Sequence, residues 1–388
     1  MKKRILGLAL SGLMTIGLLA GAAAPVYAED AELSGEISLI HYLTEDAKIA
    51  ALDGLIAGFE AEYPNVKINV EAQSMDNYAD TIKLRVSTGE CPDIVFGGPK
   101  SYSDLVGAGV FQDLTDKEYT SRVAEGSLAP VSIDGKVYGI PLDQMANVVF
   151  YNKDIFEELG LEIPTTFTAF IDTCKALKDA GYAATAAGYQ DAISIGANMY
   201  TIFFGAPYLE QEDYAARWMS GESTANTPGL IRAAEQWKEI IQYQNEDNAT
   251  ITTDRAEQLF ANGEAGMIII GTWGLGAIMN YNPEGNFGGF AYPSEETAEE
   301  NAIPLNTDDT WMISSETQNG EIVDAFFEYM TRPEVNAQWC ATASQLSALT
   351  GVEVDTLPQA AQDIAALLET QKVSAWTAVG TMSGQFDT

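Results

Sequence analysis

Residues 137–153 read VYGIPLDQMANVVFYNK. Tyr138-Gly139-Ile140-Pro141 is a short apolar strand that stops at proline, which has no amide hydrogen for a ladder. Asn147 to Tyr151 restarts as an apolar strand and ends in Asn152-Lys153-Asp154. The two runs, parted by the polar Asp143-Gln144, predict one polypeptide crossing between two lobes, and such a crossing implies a cleft.

Upstream, strand and helix patterns alternate. Ile37 to Leu43 reads as a strand, and Ala47 to Tyr63 as a helix with Ile49, Leu52, Leu55, Ile56 and Phe59 at helical spacing. Val66 to Val70 is the next strand, Tyr78 to Val86 the next helix, and Asp93 to Phe96 a buried strand ending at Gly97-Gly98. Regular alternation predicts an α/β lobe with a mainly parallel sheet. Downstream, Ala169 to Ala180, Asp191 to Phe204, Pro228 to Tyr243 and Thr253 to Ala261 carry helical periodicity, interrupted by a strand at Gly266 to Ile270. Asn286 to Tyr292 and Thr310 to Ile313 return as short strands, and Glu321 to Met330 is again helical. About 360 residues remain after a leader, more than one hydrophobic core usually serves, so size alone also predicts two lobes.

The segment after the crossing is FEELGLEIP (156–164), then Thr165-Thr166-Phe167 opening a helix through Phe170, Ile171, Cys174 and Leu177. With the crossing itself, it resembles the run that marks bacterial extracellular solute-binding proteins, in the maltose-binding-protein-like branch that feeds ABC sugar importers; Phe167 stands where that family usually has tryptophan. FEAEYP (59–64), GECPDIV (89–95), VFQDL (110–114), FANGEAGM (260–267) with Gly271-Thr272-Trp273, and FFEYMTRPE (326–334) match in order along most of the chain. The resemblance implies an α/β, two-lobed periplasmic-binding-protein-like fold of type II, each lobe a mainly parallel sheet flanked by helices, with at least two hinge crossings. It places lobe one at 33–142 plus 284–314 and lobe two at 143–283 plus 315–388. Relatives commonly continue past Met382 to Thr388 into a last helix, so a truncated end is expected.

Met1-Lys2-Lys3-Arg4, an apolar run from Ile5 to Ala20, and Val26-Tyr27-Ala28 read as a signal peptide cleaved near Ala28. The rival reading is an uncleaved anchor of nearly bilayer length, which the glycines, Ser11, Thr15 and Pro25 weaken. Losing three positive residues with the leader takes the net charge from −36 to −39, a field that repels phosphate backbones and anionic lipid headgroups. Nucleic acid is therefore not an expected partner. Cys91, Cys174 and Cys340 are too few and scattered for a disulfide scaffold and read as core thiols. No cysteine stands near the leader's end, where many relatives carry a lipid-modified one.

A sugar ring has an apolar CH face on which aromatic rings stack and a hydroxyl rim that carboxylates and amides bind. Trp273, after an apolar strand and two small residues, matches the family's Gly-x-Trp stacking position. His41 and Tyr42 end the first strand, where open α/β sheets present ligand-facing groups; a structural role for His41 stays open. Gly97 and Gly98 would permit close backbone approach to a ligand, whereas Asp93 reads as structural. Asp143 and Gln144 lie in the crossing as hydroxyl acceptors or as a locally satisfied hinge turn. Asp308, Asp309 and Trp311 lie at the second return; Trp311 reads equally as core. Ser74, Asp76, Asn77 and Tyr78 form a loop before a helix, with Asn77 the candidate contact and Asp76 explained by capping. Asn198 and Tyr200 are minor candidates.

Gly97-Gly98-Pro99-Lys100-Ser101 lacks the spacing of a phosphate loop. No Cys/His cluster or calcium-loop pattern predicts a metal, no cofactor is expected, and no nucleophile motif predicts catalysis. The resemblance implies an exported, non-enzymatic, monomeric importer component that takes a carbohydrate to membrane permease subunits. An extracellular sugar sensor or adhesion module, or a secreted glycoside hydrolase with two of the chain's 56 carboxylates paired, remains an alternative.

Overall fold

The computed structural model describes residues 33–205, 226–353 and 356–375; the expected leader and the Met382-to-Thr388 end lie outside them. Among the described residues no helix is long and apolar enough to cross a membrane. The strands are β1 (Gly35–His41), β2 (Val66–Ala72), β3 (Ile94–Phe96), β4 (Ser132–Ile133), β5 (Lys136–Val137), β6 (Ile140–Pro141) and β7 (Asp143–Asn152). They continue as β8 (Ala183–Ala186), β9 (Ala265–Gly271), β10 (Phe287–Phe290), β11 (Ala302–Thr307), β12 (Thr310–Ile313), β13 (Leu346–Ser347) and β14 (Lys372–Ala375).

Two larger sheets result. The first runs β2-β1-β3-β12-β6, and the second β14-β11-β7-β9-β8, with β10 and β13 also paired to β7. In the first, β1 lies parallel to β2 and β3, as strand-helix alternation predicts, and the Asp46–Glu62 helix covers it with Leu52, Leu55, Ile56 and Phe59. The quoted stretch supplies both sheets: β6 ends the first, Leu142 alone intervenes, and β7 enters the second. All seven residues of β9 are buried beside β7, the pattern of a central strand. Past β7, Asn152 caps the Lys153–Leu159 helix by accepting from the amides of Asp154 and Ile155. Thr166 caps the Phe167–Asp179 helix, which buries Phe170, Ile171, Cys174 and Leu177.

Three expectations are corrected. The sheets are mixed: β12 is antiparallel to β3 and β6, and β7 is antiparallel to β9, β10, β11 and β13. β7 and β12 each enter their sheet straight from the hinge, whereas β11 and β6 run toward it, so an entering strand lies antiparallel to the strand that leaves beside it. The boundary at residue 284 also differs, because β10 and β11 pair with β7 in the second sheet and only β12 of 284–314 joins the first. Gly289 of β10 sits where an added Cβ would meet Ile364 of the Gln359–Leu368 helix at 2.4 Å, so a glycine inside the strand serves close packing there. Finally, the Gly320–Met330 helix lies on the first lobe, not the second, with Phe326 edge-on to Phe59 at 5.1 Å; the adjoining Arg332 pairs with Glu62 at 2.8 Å.

The second return lies beside the first. Between β11 and β12 stand only Asp308 and Asp309, and three hydrogen bonds tie this link to the Leu142 crossing. The Leu142 amide donates to the Asp309 carbonyl (2.9 Å), the Asp308 amide to the Asp143 carbonyl (3.1 Å), and the Asp309 amide to Asp143 Oδ1 (2.8 Å). Adjacent linkers joined this way form a hinge that bends without letting the lobes drift apart. Cys174 and Cys340 are buried, Cys91 is half-buried, and all three are free.

Candidate functional site

Beside this hinge lies a cavity of about 440 Å³, next to a smaller one of about 200 Å³; Thr44, Glu45, Lys48, Ile193 and Trp273 line both. The first lobe contributes the segment from the end of β1 into the Asp46–Glu62 helix. The second contributes the turn after β9 and the first turns of the Ala192–Phe203 and Thr253–Ala261 helices. Asp308 and Asp309 of the second crossing close the smaller cavity, together with Tyr42, Phe96 and Met145.

Trp273 sits in a tight turn, Thr272–Gly274, directly after β9, and its half-buried indole lines both cavities. Gly271 makes that placement possible: a Cβ there would stand 2.2 Å from Trp273 Nε1. Its φ of −73° tolerates alanine, so Gly271→Ala is expected to displace the indole while the backbone keeps its path. The check is ligand affinity against unfolding midpoint: affinity falls toward that of a Trp273 deletion, and the midpoint moves little.

Tyr42 lines the smaller cavity and is held edge-on by Tyr78 and Phe96, each at 4.8 Å. Burial, with help from Asp308 and Asp309, pushes its hydroxyl up to about 12, so it remains a neutral donor. Asp191 organises the opposite wall. It caps the Ala192–Phe203 helix through the Ile193 amide (3.0 Å) and accepts the Thr253 amide (2.8 Å) and hydroxyl, binding two helix starts together. Glu257, 5% exposed, occupies the next turn of the Thr253–Ala261 helix and lines the larger cavity. Burial first, then Asp254, Glu45 and Asp191, push its carboxyl up to about 8.

Behind the smaller cavity stands a buried ionic cluster. Lys48, 3% exposed, lies 2.5 Å from Asp308 Oδ2 and 3.2 Å from each oxygen of Asp309. Burial acts to lower the Lys48 pKa, but Asp308, Asp309, Asp143 and Glu45 outweigh it and hold the ammonium charged. Burial and the nearby Asp143 raise Asp309 well above the usual carboxylate range, against the pull of Lys48. Asp143, Asp308 and Asp309 each offer an oxygen within 4.8 Å of the others, a set that could ligate a cation; the Lys48 ammonium already bridges two of them.

The other sequence candidates are distributed differently. Asp143 is fully buried and accepts from the Asp309 amide and from Trp339 Nε1 (2.8 Å), so it serves the hinge rather than the cavity. Gln144 donates to Ser127 Oγ at 2.5 Å, and His41, 4% exposed, accepts the Leu43 amide on Nδ1; neither lines the cavities. Trp311 is core, packed edge-on against Phe96 at 4.9 Å. Gly97 has φ +128° with Tyr102 3.0 Å from its missing Cβ, and Gly98 begins the next turn; neither lines the two cavities. Asn77 is exposed on the Met75–Thr88 helix and lines neither cavity, although Met75 of the same helix lines the smaller one, and Asn198 is buried, donating to the Ser194 and Ile269 carbonyls. Trp273, Tyr42, Asp308 and Asp309 are the sequence candidates that come together, around the smaller cavity. Lys48, Asp191 and Glu257 were missed, although Lys48, Leu52 and Leu55 share one helix face and so do Thr253, Glu257 and Phe260.

The family description "Bacterial extracellular solute-binding protein" matches residues 44–337. The chain belongs to this family. Among its relatives, the multiple sugar-binding protein of Streptococcus mutans is 26% identical over 328 residues, covering 81% of this chain and 76% of that one. The maltodextrin-binding protein MdxE of Bacillus subtilis is 25% identical, covering 72% and 65%. Among solved structures, the solute-binding protein RafE in complex with raffinose superposes with a TM-score of 0.74 at 25% identity, covering 89% of this chain and 90% of that one. All three are named as binding proteins, and the RafE superposition shows that this chain shares that protein's fold.

Proposed function

We propose that this solute-binding protein captures a carbohydrate in the cleft beside Trp273 and delivers it to the permease of an ABC importer, after export and cleavage near Ala28. The observation that carries the reading is the Trp273 indole, kept free by Gly271 and facing cavities large enough for a sugar unit, with carboxylates and the Tyr42 hydroxyl around it. The indole takes the CH face of the ring. Asp191, Asp254, Glu257 and Asp309 accept from hydroxyls, and Tyr42 donates. Because both lobes wall the cavity, a bound sugar contacts both at once and favours the closed form by its differential affinity for that form. The relatives' names, a multiple sugar-binding protein and a maltodextrin-binding protein, support the same solute class. The chain acts as a monomer and performs no chemistry on its ligand.

The test is a thermal-shift screen of residues 29–388 against sugars, amino acids and peptides. A ligand at 100 times its dissociation constant adds ~2.7 kcal/mol of stability, a shift of several degrees for a chain of this size. A shift confined to carbohydrates supports the proposal. Shifts with amino acids or peptides alone overturn it.

A further inference from the structure

The larger cavity is acidic beyond the composition of the chain. Five of its 16 lining residues, Glu45, Asp46, Asp191, Asp254 and Glu257, are carboxylates, against 56 acids among 388 residues overall. Lys48, the one basic residue lining it among those described, is already saturated by Asp308 and Asp309. Arg255, on the same helix as Glu257, turns instead to Gln258 and Glu264.

Within this ring most acids are occupied by the protein. Asp191 accepts from Ile193 and Thr253, Asp254 from the Tyr281 hydroxyl at 2.5 Å, and Glu45 from Thr44. Glu257 differs: it is 5% exposed, faces the cavity, and has no hydrogen-bond or ion-pair partner among the described residues. Its Oε1 lies 2.9 Å from where a Cβ would stand at Gly274, the residue after Trp273, so the unpartnered carboxyl and the indole belong to one subsite. A buried carboxyl left open is costly unless a ligand completes it. The groups facing it across the cavity, Glu45 from the first lobe and Asp191 from the second, are negative, as is Asp254 on its own helix; together with burial they raise its proton affinity. Sugar hydroxyls satisfy single lone pairs, but they leave the mutual repulsion of the ring in place. A cation removes it.

Resting on the carbohydrate reading above, we infer that the preferred ligand is a sugar bearing a protonated primary amine, its CH face on Trp273 and its ammonium against Glu257. This goes beyond carbohydrate binding as such, since a neutral sugar fills the same volume and leaves Glu257 protonated, whereas an ammonium beside it favours the ionised carboxylate and is expected to release a proton on binding.

The test compares matched pairs by calorimetry at about pH 6.5, where amino-sugar amines are charged: glucosamine with glucose, galactosamine with galactose, and short chitosan oligomers with their N-acetylated forms. The amine member of at least one pair is expected to bind about tenfold tighter or more, with an advantage that shrinks as salt rises. Glu257→Gln is expected to collapse the ratio within the pair. Should that variant misfold, the wild-type ratio and its salt dependence still decide. Neutral sugars binding as tightly as their amines would overturn this inference and leave the carbohydrate reading standing. Failure of every sugar, alongside binding of another solute in the thermal screen, would remove both. A simple alkylamine binding as well as the amino sugar would also overturn it, since the indole would then contribute nothing.

Discussion

Replacing Trp273 by alanine is expected to weaken carbohydrate binding by about tenfold to a hundredfold, with a small change in stability. The indole is half-buried, packed in part against the core, and lines both cavities, so the remainder of its surface is open to stacking. Covering one pyranose face removes roughly 60–80 Å² of apolar surface from water, about 2 kcal/mol at ~25 cal/mol per Å², and the CH–π contact adds about 0.5 kcal/mol or more. Those magnitudes correspond to the stated range in dissociation constant. Titration calorimetry of wild type and variant with the same sugar gives the number directly. A change below about threefold would show that the indole is not the stacking platform. By contrast Trp311, which the sequence offered as an equal alternative between core and ligand, is 1% exposed, and its removal should appear in stability instead.

The second large effect concerns the hinge. Lys48→Met keeps the aliphatic stem but deletes the charge that Asp308 and Asp309 share, leaving Asp143, Asp308 and Asp309 crowded in a buried site without a cation. Breaking a buried ion pair from one side costs about 3–5 kcal/mol. At ~2–4 °C per kcal/mol this is a fall in unfolding midpoint of roughly 6–20 °C. The pH dependence has a definite sign. In the wild type burial already raises Asp308 and Asp309, against the pull of Lys48, and removing Lys48 raises them further. An acid whose folded pKa lies above its unfolded value is better tolerated below the unfolded value, ~3.9, and loses stability as pH rises toward the folded one. The deficit of Lys48→Met relative to wild type should therefore shrink on acidification from pH 7 toward 4.5. Urea unfolding of both proteins at the two values measures it; a deficit under about 1 kcal/mol at pH 7, or one that grows on acidification, would show that Lys48 does not hold the hinge aspartates together.

Much of the fold was legible because local patterns agreed with the final packing. The alternation before residue 97 became β1, β2 and β3 with their helices, and the quoted crossing became β6 and β7. β11 was missed because Pro304 and the polar Asn306-Thr307 break its apolar pattern, although three of its six residues are buried; only pairing against β7 and β14 makes it a strand. Lobe boundaries depended on which sheet accepts a short strand, and Phe287–Phe290 carries no local sign of that choice.

The cavity lining was legible where a residue's position relative to its strand decides which way it faces, as with Trp273 after β9 and Tyr42 after β1. It was not legible where a charge is buried by a distant segment. Lys48 meets Asp308 and Asp309 across 260 residues of sequence, and Glu257 faces Glu45 from the other lobe. Asp143 misled for a related reason: the crossing does adjoin the cleft, but the Asp309 amide and the Trp339 indole, both remote in sequence, take its oxygens and turn it into a hinge fastener.

The central claim is that one cleft, walled by both lobes and floored by Trp273, holds a carbohydrate. A crystal structure of the protein with the sugar that shifts its melting most tests this directly. The account predicts a ring stacked on the Trp273 indole, with polar contacts to the Tyr42-to-Lys48 segment on one side and to Asp191 or Glu257 on the other. A sugar bound elsewhere, or lying in this cleft with the indole turned away from it, would contradict it.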